Sequence, residues 1–537
     1  MHKRSVAFLL AILFAFSGIS VRLMQLTTNQ TFEAAGVRST LTVTVATKRG
    51  TIYDRHLQPF TDRSTRYAAV VVPFPETIAA LSKALPTEEW ATLRERLQDG
   101  KPVVVTTDTP LPSVTGIRQF VVSDRYDDDT LASHTLGYLD SAGVSGVSGV
   151  ERAYDSVLVE ATGSVRVTYQ TDGTGAVLAG AEVTVDNTLS RANAGIALTL
   201  DRAIQHRVER VAGEKITKGA VVVMDPSNGD ILALASFPNF QASRVSEYLQ
   251  REDSPLFNRT MAVYNCGSVF KTVSAMVALE NGVLTTQTHN CVGAETVGSN
   301  RIRCHQVLGH GELDMRGGYL LSCNPYFIRL MQLVGAAPLY RLASLLGFDS
   351  PIPLANGYLT ARATMPSEAA LEQETVLANV SFGQGDLLAS PIHISQLTAC
   401  VVNGGVYYRP NLYAGSVNAD GVLTPVTRDP AVTVCSSQTA SILREMMIGV
   451  VEEGSGMTAQ PLCGGAGGKT GTAQTGWAGE DGKTMIQNWF SGFYPAENPR
   501  YVVTVLIEDS GKSGESAAPV FAAICDELYK NELLLNS

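Results

Sequence analysis

Two side chains near the middle of the chain have the types and the spacing of a nucleophile and its base. Ser268 and Lys271 lie three residues apart, directly after Gly267. A helix places residues at this spacing side by side. A serine hydroxyl is a weak nucleophile at neutral pH, but a neighbouring amine can accept its proton when burial lowers the pKa of that amine. The pair therefore predicts a serine nucleophile with a lysine as its base.

A serine and a lysine at this spacing also occur on ordinary surface helices, so the interpretation depends on two later motifs. A Ser-Cys-Asn motif occupies residues 322–324, and a Lys-Thr-Gly-Thr motif occupies residues 469–472, after two glycines. The three motifs in this order form a known set of serine enzymes. Their joint occurrence favours a catalytic site over a chance match.

The elements around these motifs predict an α+β architecture, in which helices cover an antiparallel sheet. The apolar helix that carries the nucleophile ends at Asn281, and the Lys-Thr-Gly motif lies on a strand. Further strands are predicted at 220–224, 231–235, 488–494 and 501–507. Further helices are predicted after Asp201 as N-cap, at 391–402 and at 517–534.

Length and composition limit the class of protein. A chain of 537 residues is too long for one ordinary domain, so two or three are expected. The formal net charge of −10 and the absence of a basic stripe argue against nucleic acid as a partner. Eight cysteines are too few for a disulfide scaffold in a chain of this length.

The N-terminus predicts a membrane anchor. A short basic segment precedes residues 5–21, which are uncharged and mostly apolar, and Arg22 follows them. Seventeen residues is the lower limit for a membrane-spanning helix, and positive charges before it favour an N-terminus that stays inside. A cleaved signal peptide is the alternative. In either case the residues beyond about 30 are expected to be extracytoplasmic.

Residues 60–190 show β-like runs and no nucleophile or metal-ligand pattern. Strands are predicted in this region at 67–72 and 103–107, and a short amphipathic helix from Glu151 to Val159. A further strand is predicted just before the region, at 40–45. This mixed α+β region predicts a spacer or an interaction module.

The chain from 195 to 530 resembles the transpeptidase domain of a penicillin-binding protein. The resemblance includes the three motifs, Asp225-Pro226-x-x-Gly229, and the glycine turns at 383–385 and 403–405. Two N-terminal motifs, Arg-Gly-x-x-x-Asp-Arg at 49–55 and Gly-x-x-Gly-x-Glu-x-x-Tyr at 146–154, resemble the pedestal domain of class B members. The sporulation and division enzymes of Gram-positive bacteria are the most similar type.

The resemblance implies a three-part organisation. Residues 1–26 would form the cytoplasmic tail and transmembrane anchor, and 27–190 the pedestal domain of the dimerisation type. Residues 195–537 would form the transpeptidase domain, with a five-stranded antiparallel sheet flanked by helices. The protein would then be a single-pass protein of the cell membrane, with its catalytic domain outside.

The resemblance also implies a reaction. A peptidoglycan stem peptide ending in D-Ala-D-Ala would acylate Ser268 and lose its last D-Ala, and an amine of a neighbouring stem would then take the acyl group. Lys271 would be the base for Ser268, and Ser322 would relay a proton to the leaving amine. Asn324 would hold the substrate amide, and Lys469 would keep the network polarised. No metal or cofactor is implied.

The Lys-Thr-Gly-Thr motif would bind the other end of the substrate. Thr470 and Thr472 would bind the terminal carboxylate beside Gly471, and the N–H groups of Ser268 and Thr472 would form the oxyanion hole. β-Lactams would trap the acyl-enzyme. A polytopic membrane glycosyltransferase and other wall-synthesis proteins are the implied partners.

Other functions stay open. A D,D-carboxypeptidase would use the same acyl-enzyme, and a β-lactam-binding scaffold or sensor would keep the motifs without turnover. A β-lactamase is disfavoured because no Glu-x-x-x-Asn motif lies between Pro325 and Val380.

The cysteines depart from the family pattern. Cys266 stands where family members usually have proline, and Cys323 is the middle residue of the Ser-x-Asn motif. Small buried thiols are one interpretation. A second takes Cys266, Cys304 and Cys323 as redox candidates, with a disulfide of Cys323, for which Cys304 is the candidate partner, that would make activity depend on reduction. A third is a zinc site formed by Cys291, Cys304, His305 and His310.

Overall fold

The computed structural model describes residues 2–28, 39–172, 175–478, 484–509 and 516–535. The chain divides into two compact units, which we describe separately. Unit 1 contains Met1–Lys48, Ser64–Asp124 and Gly163–Ser190, and unit 2 contains Arg49–Arg63, Arg125–Thr162 and Arg191–Ser537. Two segments from the first third of the chain, 49–63 and 125–162, thus belong to the same unit as the three motifs.

The described residues of unit 1 form two three-stranded antiparallel sheets and three helices. One sheet has the strand order Ser39–Lys48, Gly163–Thr171, Thr184–Asn187, and the other Val103–Thr107, Arg66–Val71, Ile117–Val122. The helices are His2–Thr28, Pro75–Ala84 and Thr87–Arg96. The strands predicted at 40–45, 67–72 and 103–107 are therefore present. Among the described residues, no helix has both the length and the apolar character that a membrane span requires.

The centre of unit 2 is a five-stranded antiparallel sheet, which confirms the predicted α+β fold. Its strand order is Ile231–Phe237, Gly219–Met224, Tyr501–Ile507, Thr484–Tyr494, Gly467–Ala478. Every residue of the first three strands is buried. These strands read as continuous apolar runs because helices cover both faces of the sheet.

Alternate residues of the central strands enter two different cores. Val221, Val223 and Val505 pack with helices Arg202–Gly213 and Ala517–Leu535 on one face. Val222 and Leu506 belong to the larger core, which includes helices Lys271–Glu280, Pro391–Val402 and Ser437–Glu452. This alternation follows from the two-residue period of a strand. The helix that begins with the nucleophile motif is thus buried in the larger core.

The other helices and strands of unit 2 connect and extend this framework. The further α-helices are Ser133–Leu136, Gly149–Ala153, Asp155–Glu160, Met315–Leu320, Asn324–Val334, Ala336–Leu345, Glu368–Leu371 and Glu374–Ser381. A second sheet has the strand order Thr51–Tyr53, Gly195–Leu198, Tyr413–Val417, Leu423–Pro425. Two-stranded pairs join Tyr264–Asn265 to Leu388–Ala389, His289–Cys291 to Gly311–Leu313, Ala294–Val297 to Asn300–Arg303, Pro353–Ala355 to Tyr358–Leu359, and Val406–Tyr407 to Val432–Thr433.

The helix predicted from Glu151 to Val159 is wrong in detail, because the structure has two short helices there. The break is at Tyr154, whose backbone leaves the helical region (φ −114°, ψ 24°). The Tyr154 ring stacks on Tyr413 at 4.7 Å, and its hydroxyl accepts a hydrogen bond from the Asn356 N–H at 3.2 Å. These tertiary contacts outweigh the local preference for one continuous helix.

The two N-terminal motifs meet in a buried ionic cluster within unit 2. Glu151 is fully buried and accepts hydrogen bonds from Arg49 Nε at 3.1 Å and from Arg125 Nε at 2.8 Å. Arg125 also pairs with Asp62 at 2.8 Å, and Arg49 with Asp155 at 2.7 Å. We call these five residues the ionic cluster. In it, each buried charge faces an opposite charge.

Candidate active site

The turn that carries Ser268 is held between two other segments by close backbone contacts. Gly267 has φ +57°, and its N–H donates to the Gly383 carbonyl at 2.8 Å. A Cβ on Gly267 would lie 2.7 Å from the Thr472 carbonyl oxygen, and one on Gly383 would lie 1.9 Å from the Gly267 carbonyl oxygen. Only glycine fits both positions. The Ser268 turn is therefore fixed against the Lys-Thr-Gly strand.

Ser268 and Lys271 lie at a junction between two helix types rather than within a single α-helix. Gly267–Phe270 is one 3₁₀ turn, and the α-helix begins at Lys271. Ser268 is partly exposed and lines a cleft, whereas the Lys271 side chain is fully buried.

The Lys271 amine contacts the Ser-Cys-Asn motif. Its Nζ donates to the Ser322 carbonyl at 2.6 Å, to Asn324 Oδ1 at 2.8 Å and to Ser322 Oγ at 3.1 Å. The Phe327 ring lies 5.6 Å away. Burial lowers the pKa of Lys271 to about 7. Near neutral pH a large share of this amine is thus unprotonated and able to accept a proton.

The Ser-Cys-Asn motif forms a strained turn between helices Met315–Leu320 and Asn324–Val334. Ser322 has φ +53°, a conformation that side chains other than glycine rarely adopt. The following N–H, that of Cys323, donates to the Gly318 carbonyl at 2.9 Å and stabilises the turn. In this conformation both Ser322 Oγ and Asn324 Oδ1 accept hydrogen bonds from Lys271 Nζ. A strained backbone of this kind is typical of a functional site.

The Lys-Thr-Gly-Thr strand alternates between the core and the cleft. Lys469 is buried, and its Nζ donates to the Thr470 carbonyl at 3.2 Å, with the Tyr319 ring at 5.6 Å. Burial and the charge of Lys271 lower the pKa of Lys469 well below its usual value. Gly471 faces inward, where a Cβ would lie 3.0 Å from a Val269 methyl carbon.

One cleft of about 940 Å³ brings most of the predicted site residues together. Its lining includes Ser268, Ser322, Asn324, Thr470, Thr472 and Cys304. Lys271 and Lys469 are buried and do not line it. Sequence reasoning missed Ser455, which lines the cleft and hydrogen-bonds through its hydroxyl to Thr470 Oγ1 at 2.9 Å. The sequence feature that could have indicated Ser455 is its position between two glycines in the turn 454–456.

The cysteine predictions have different outcomes. All eight cysteines are free thiols in this structure. Cys266 is fully buried, and burial raises the pKa of its thiol, so it is a small core residue without reactive character. The disulfide between Cys304 and Cys323 stays a hypothesis.

The zinc ligands predicted from the sequence need one correction. Cys291, Cys304 and His310 do come together, but the fourth neighbour is Cys323. His305 is exposed, and although its Nδ1 lies 3.9 Å from Cys304 Sγ, it is not one of the four residues whose ligand atoms all lie close to one another. We call Cys291, Cys304, His310 and Cys323 the thiol cluster.

A partly exposed hydroxyl in a cleft, a buried amine of lowered pKa and a second buried amine make up a site suited to serine acyl transfer. The sequence model of the penicillin binding protein transpeptidase domain matches residues 219–526. The chain therefore belongs to the penicillin-binding protein transpeptidase family.

Relatives and solved structures agree with this assignment. Stage V sporulation protein D of Bacillus subtilis is 30% identical over 426 residues, which cover 76% of this chain and 63% of that protein. The peptidoglycan D,D-transpeptidase MrdA of Salmonella typhimurium is 26% identical over 570 residues, covering 90% of this chain and 88% of that protein.

A solved structure of a peptidoglycan synthase complex that coordinates polymerization and crosslinking matches this chain over 98% of each chain, with a TM-score of 0.70 and 23% identity. At this identity the likeness shows the fold alone. The fold is that of class B penicillin-binding proteins.

Proposed function

We propose that the chain is a serine-type peptidoglycan D,D-transpeptidase. The observation that supports this most is the Lys271 amine. It is buried, has a lowered pKa and is hydrogen-bonded to Ser322 and Asn324 beside the cleft that Ser268 lines. The family assignment and the name of the MrdA relative support the same activity.

The first half-reaction makes an acyl-enzyme. Ser268 Oγ attacks the carbonyl of the penultimate D-Ala of a stem peptide, and its proton passes to Lys271 Nζ. The N–H groups of Ser268 and Thr472 stabilise the oxyanion. The tetrahedral intermediate expels the terminal D-Ala, whose amine receives the proton through Ser322.

The second half-reaction reverses these proton transfers. An amino group of a neighbouring stem peptide attacks the Ser268 ester and gives up a proton through Ser322 to Lys271. The new amide forms, and Ser268 Oγ leaves and regains its proton. Thr470, Thr472 and the positive charge of Lys469 hold the carboxylate of the donor stem, and Asn324 holds its amide.

The setting of the reaction is also a proposal. The chain is anchored by its N-terminal helix in the cell membrane, with unit 2 and the part of unit 1 that follows this helix outside the cytoplasm. A polytopic glycosyltransferase supplies the strands to be crosslinked, which agrees with the synthase complex among the structural neighbours. The likeness to a sporulation protein supports a role in sporulation or division.

The test is acylation by benzylpenicillin, followed by intact mass. The full-length chain in detergent should gain the mass of one opened β-lactam, and Ser268→Ala should gain none. Ser243→Ala is the matched control, since Ser243 is exposed and outside the cleft. An adduct that survives in Ser268→Ala would contradict the assigned nucleophile. No adduct on the unmodified chain would favour a scaffold.

Products distinguish the two enzymatic alternatives. A stem pentapeptide supplied with an amine acceptor should give the crosslinked peptide as the main product. Release of D-Ala with only the hydrolysed peptide would instead identify a D,D-carboxypeptidase.

A further inference from the structure

We propose that the thiol cluster binds one zinc ion, which fixes the Ser-Cys-Asn turn to the loop 304–310. The sulfur atoms of Cys291, Cys304 and Cys323 and a ring nitrogen of His310 all lie within 4.8 Å of one another. Three thiolates and one imidazole are a common ligand set of structural zinc sites.

The distances within the cluster are close to those that tetrahedral zinc requires. With Zn–S near 2.3 Å and Zn–N near 2.0 Å, the sulfur and nitrogen ligands of one ion lie about 3.5 Å apart. The observed separation of Cys304 Sγ and His310 Nδ1 is 3.5 Å. Two sulfurs would lie about 3.8 Å apart. Since all four ligand atoms lie within 4.8 Å of one another, contractions of at most roughly 1.3 Å complete the site.

The backbone around the cluster is built to bring two loops into contact. The Cys304 N–H donates to the Gly293 carbonyl at 2.9 Å. A Cβ on Gly293 would lie 2.1 Å from the Val307 carbonyl oxygen, and one on Gly309 would lie 2.1 Å from the Cys291 carbonyl oxygen. The loops that carry Cys291 and Cys304 therefore touch only because both glycines lack side chains.

Apolar burial does not hold the 304–310 loop in place. Val307 is 79% exposed and Leu308 is 91% exposed, and His305 is exposed as well. The cysteine side chains of the cluster are instead buried. A loop with its apolar side chains in solvent and its thiols inside is the arrangement expected when a metal, rather than a core, supplies the stability.

A disulfide explains the cluster less well. One disulfide would use two of the three thiols and would leave the third, with the imidazole, unexplained. Zinc uses all four groups, because binding exchanges three thiol protons for three zinc–thiolate bonds and takes the neutral His310 nitrogen as the fourth ligand. All four positions are then filled by protein, so the ion is structural and does not activate water.

The position of the cluster links it to the candidate active site. Cys323 lies between Ser322 and Asn324, both of which contact Lys271. Asn324 Nδ2 also donates to the Arg303 carbonyl at 3.3 Å, next to Cys304. The zinc ion thus positions the residues that hold the Lys271 amine. This last step rests on the proposed function, whereas the metal binding itself does not.

The direct test is the metal content of the full-length chain, purified in detergent with reductant and measured by inductively coupled plasma mass spectrometry. We expect one zinc per chain. Cys304→Ser and Cys323→Ser should lose it, whereas Cys463→Ser should retain it, because Cys463 is exposed and outside the cluster. His305→Ala should also retain zinc, which separates the observed ligand set from the one predicted from the sequence.

Two outcomes would overturn the proposal. One is a chain that holds no zinc and takes up none when zinc is added to the reduced protein. The other is a native mass showing a disulfide between Cys304 and Cys323 in the folded chain.

If a ligand variant fails to fold, chelation of zinc from the unmodified chain is the deciding experiment. The melting temperature should then fall, and zinc should restore it while magnesium should not; an unchanged melting temperature would contradict the proposal.

Zinc binding and benzylpenicillin acylation can be tested independently of each other. Ser268→Ala should still bind one zinc, because Ser268 is not a ligand. In the unmodified chain, removal of zinc should slow benzylpenicillin acylation by roughly 10- to 100-fold, as loss of a positioning group does. Zinc binding without any acylation would leave the metal site intact and overturn only the proposed function.

Discussion

Two groups of buried charged residues in unit 2 differ in whether their buried cations have carboxylate partners. In the ionic cluster, Arg49 and Arg125 share Glu151, and each has a further carboxylate. In the candidate active site, Lys271 and Lys469 contact only hydroxyl, amide, carbonyl and aromatic groups in the described part of the chain.

The two groups differ accordingly in pKa. Burial alone would lower the pKa of Arg125, but Glu151 and Asp62 outweigh it and raise that pKa, so the arginine stays charged. Nothing outweighs burial at Lys271 and Lys469, whose pKa values are both lowered. Carboxylate partners thus keep the arginines of the structural cluster charged, whereas a buried lysine without a carboxylate partner can act as a base.

The largest expected effect comes from removing an unpaired cation. Lys271→Met should slow benzylpenicillin acylation by at least about 1000-fold, because the base for Ser268 is lost. The melting temperature should stay the same or rise, because an uncompensated buried amine is costly to the fold. Acylation is followed by intact mass and melting by circular dichroism.

Lys215→Met is the matched control, since Lys215 is exposed and its loss should change neither quantity. If the Lys271→Met chain melted several degrees lower but acylated normally, Lys271 would have a structural role like that of the ionic cluster, and its assignment as the base would be contradicted.

Breaking the ionic cluster should have the opposite signature. Glu151→Gln leaves Arg49 and Arg125 without their shared carboxylate and should lower the free energy of unfolding by about 3–5 kcal/mol. The acylation rate of the folded protein at low temperature should hardly change. Urea unfolding gives the stability, with Glu160→Gln as control, because Glu160 is exposed in the next helix. Equal free energies of unfolding for the two variants would contradict a stabilising role of the ionic cluster.

A smaller effect is expected at a third kind of group, a partly buried carboxyl that has no cationic partner among the described residues. Glu209 accepts hydrogen bonds from the Ala132 N–H at 2.6 Å and from Gln205 Nε2 at 2.7 Å, and burial raises its pKa to about 7. The folded state therefore holds this proton up to a higher pH than the unfolded state does, and stability falls as the pH rises from about 4.5 to about 7. Glu209→Gln should flatten the pH dependence of the melting temperature over that range. An unchanged pH dependence would contradict a raised pKa for Glu209.

How much of this could be predicted from the sequence depended on how local the signal was. The central strands, the Asp201 N-cap and the helix at 391–402 follow from periodicity and capping, and the structure contains them. The three motifs indicated which side chains would share one cleft. Each of these signals lies within a few residues of the feature it predicts.

The rest depends on contacts between distant segments. The positive φ of Ser322 and the break at Tyr154 are imposed by tertiary packing. Cys323 rather than His305 joins the thiol cluster, because the close contact of the Gly293 and Gly309 loops places Cys304 and His310 beside the Ser-Cys-Asn turn. No spacing rule could predict that choice.

The most direct test of the contrast is the pH dependence of acylation in the full-length chain. The rate of benzylpenicillin acylation, measured at saturating benzylpenicillin by rapid-quench intact mass, should rise with pH and level off, with a midpoint near the Lys271 pKa of about 7. The rise is expected because only the unprotonated amine can accept the Ser268 proton. A rate that is independent of pH, or that is still rising at the pKa of an ordinary exposed lysine, would contradict the claim that an unpaired buried lysine is the base.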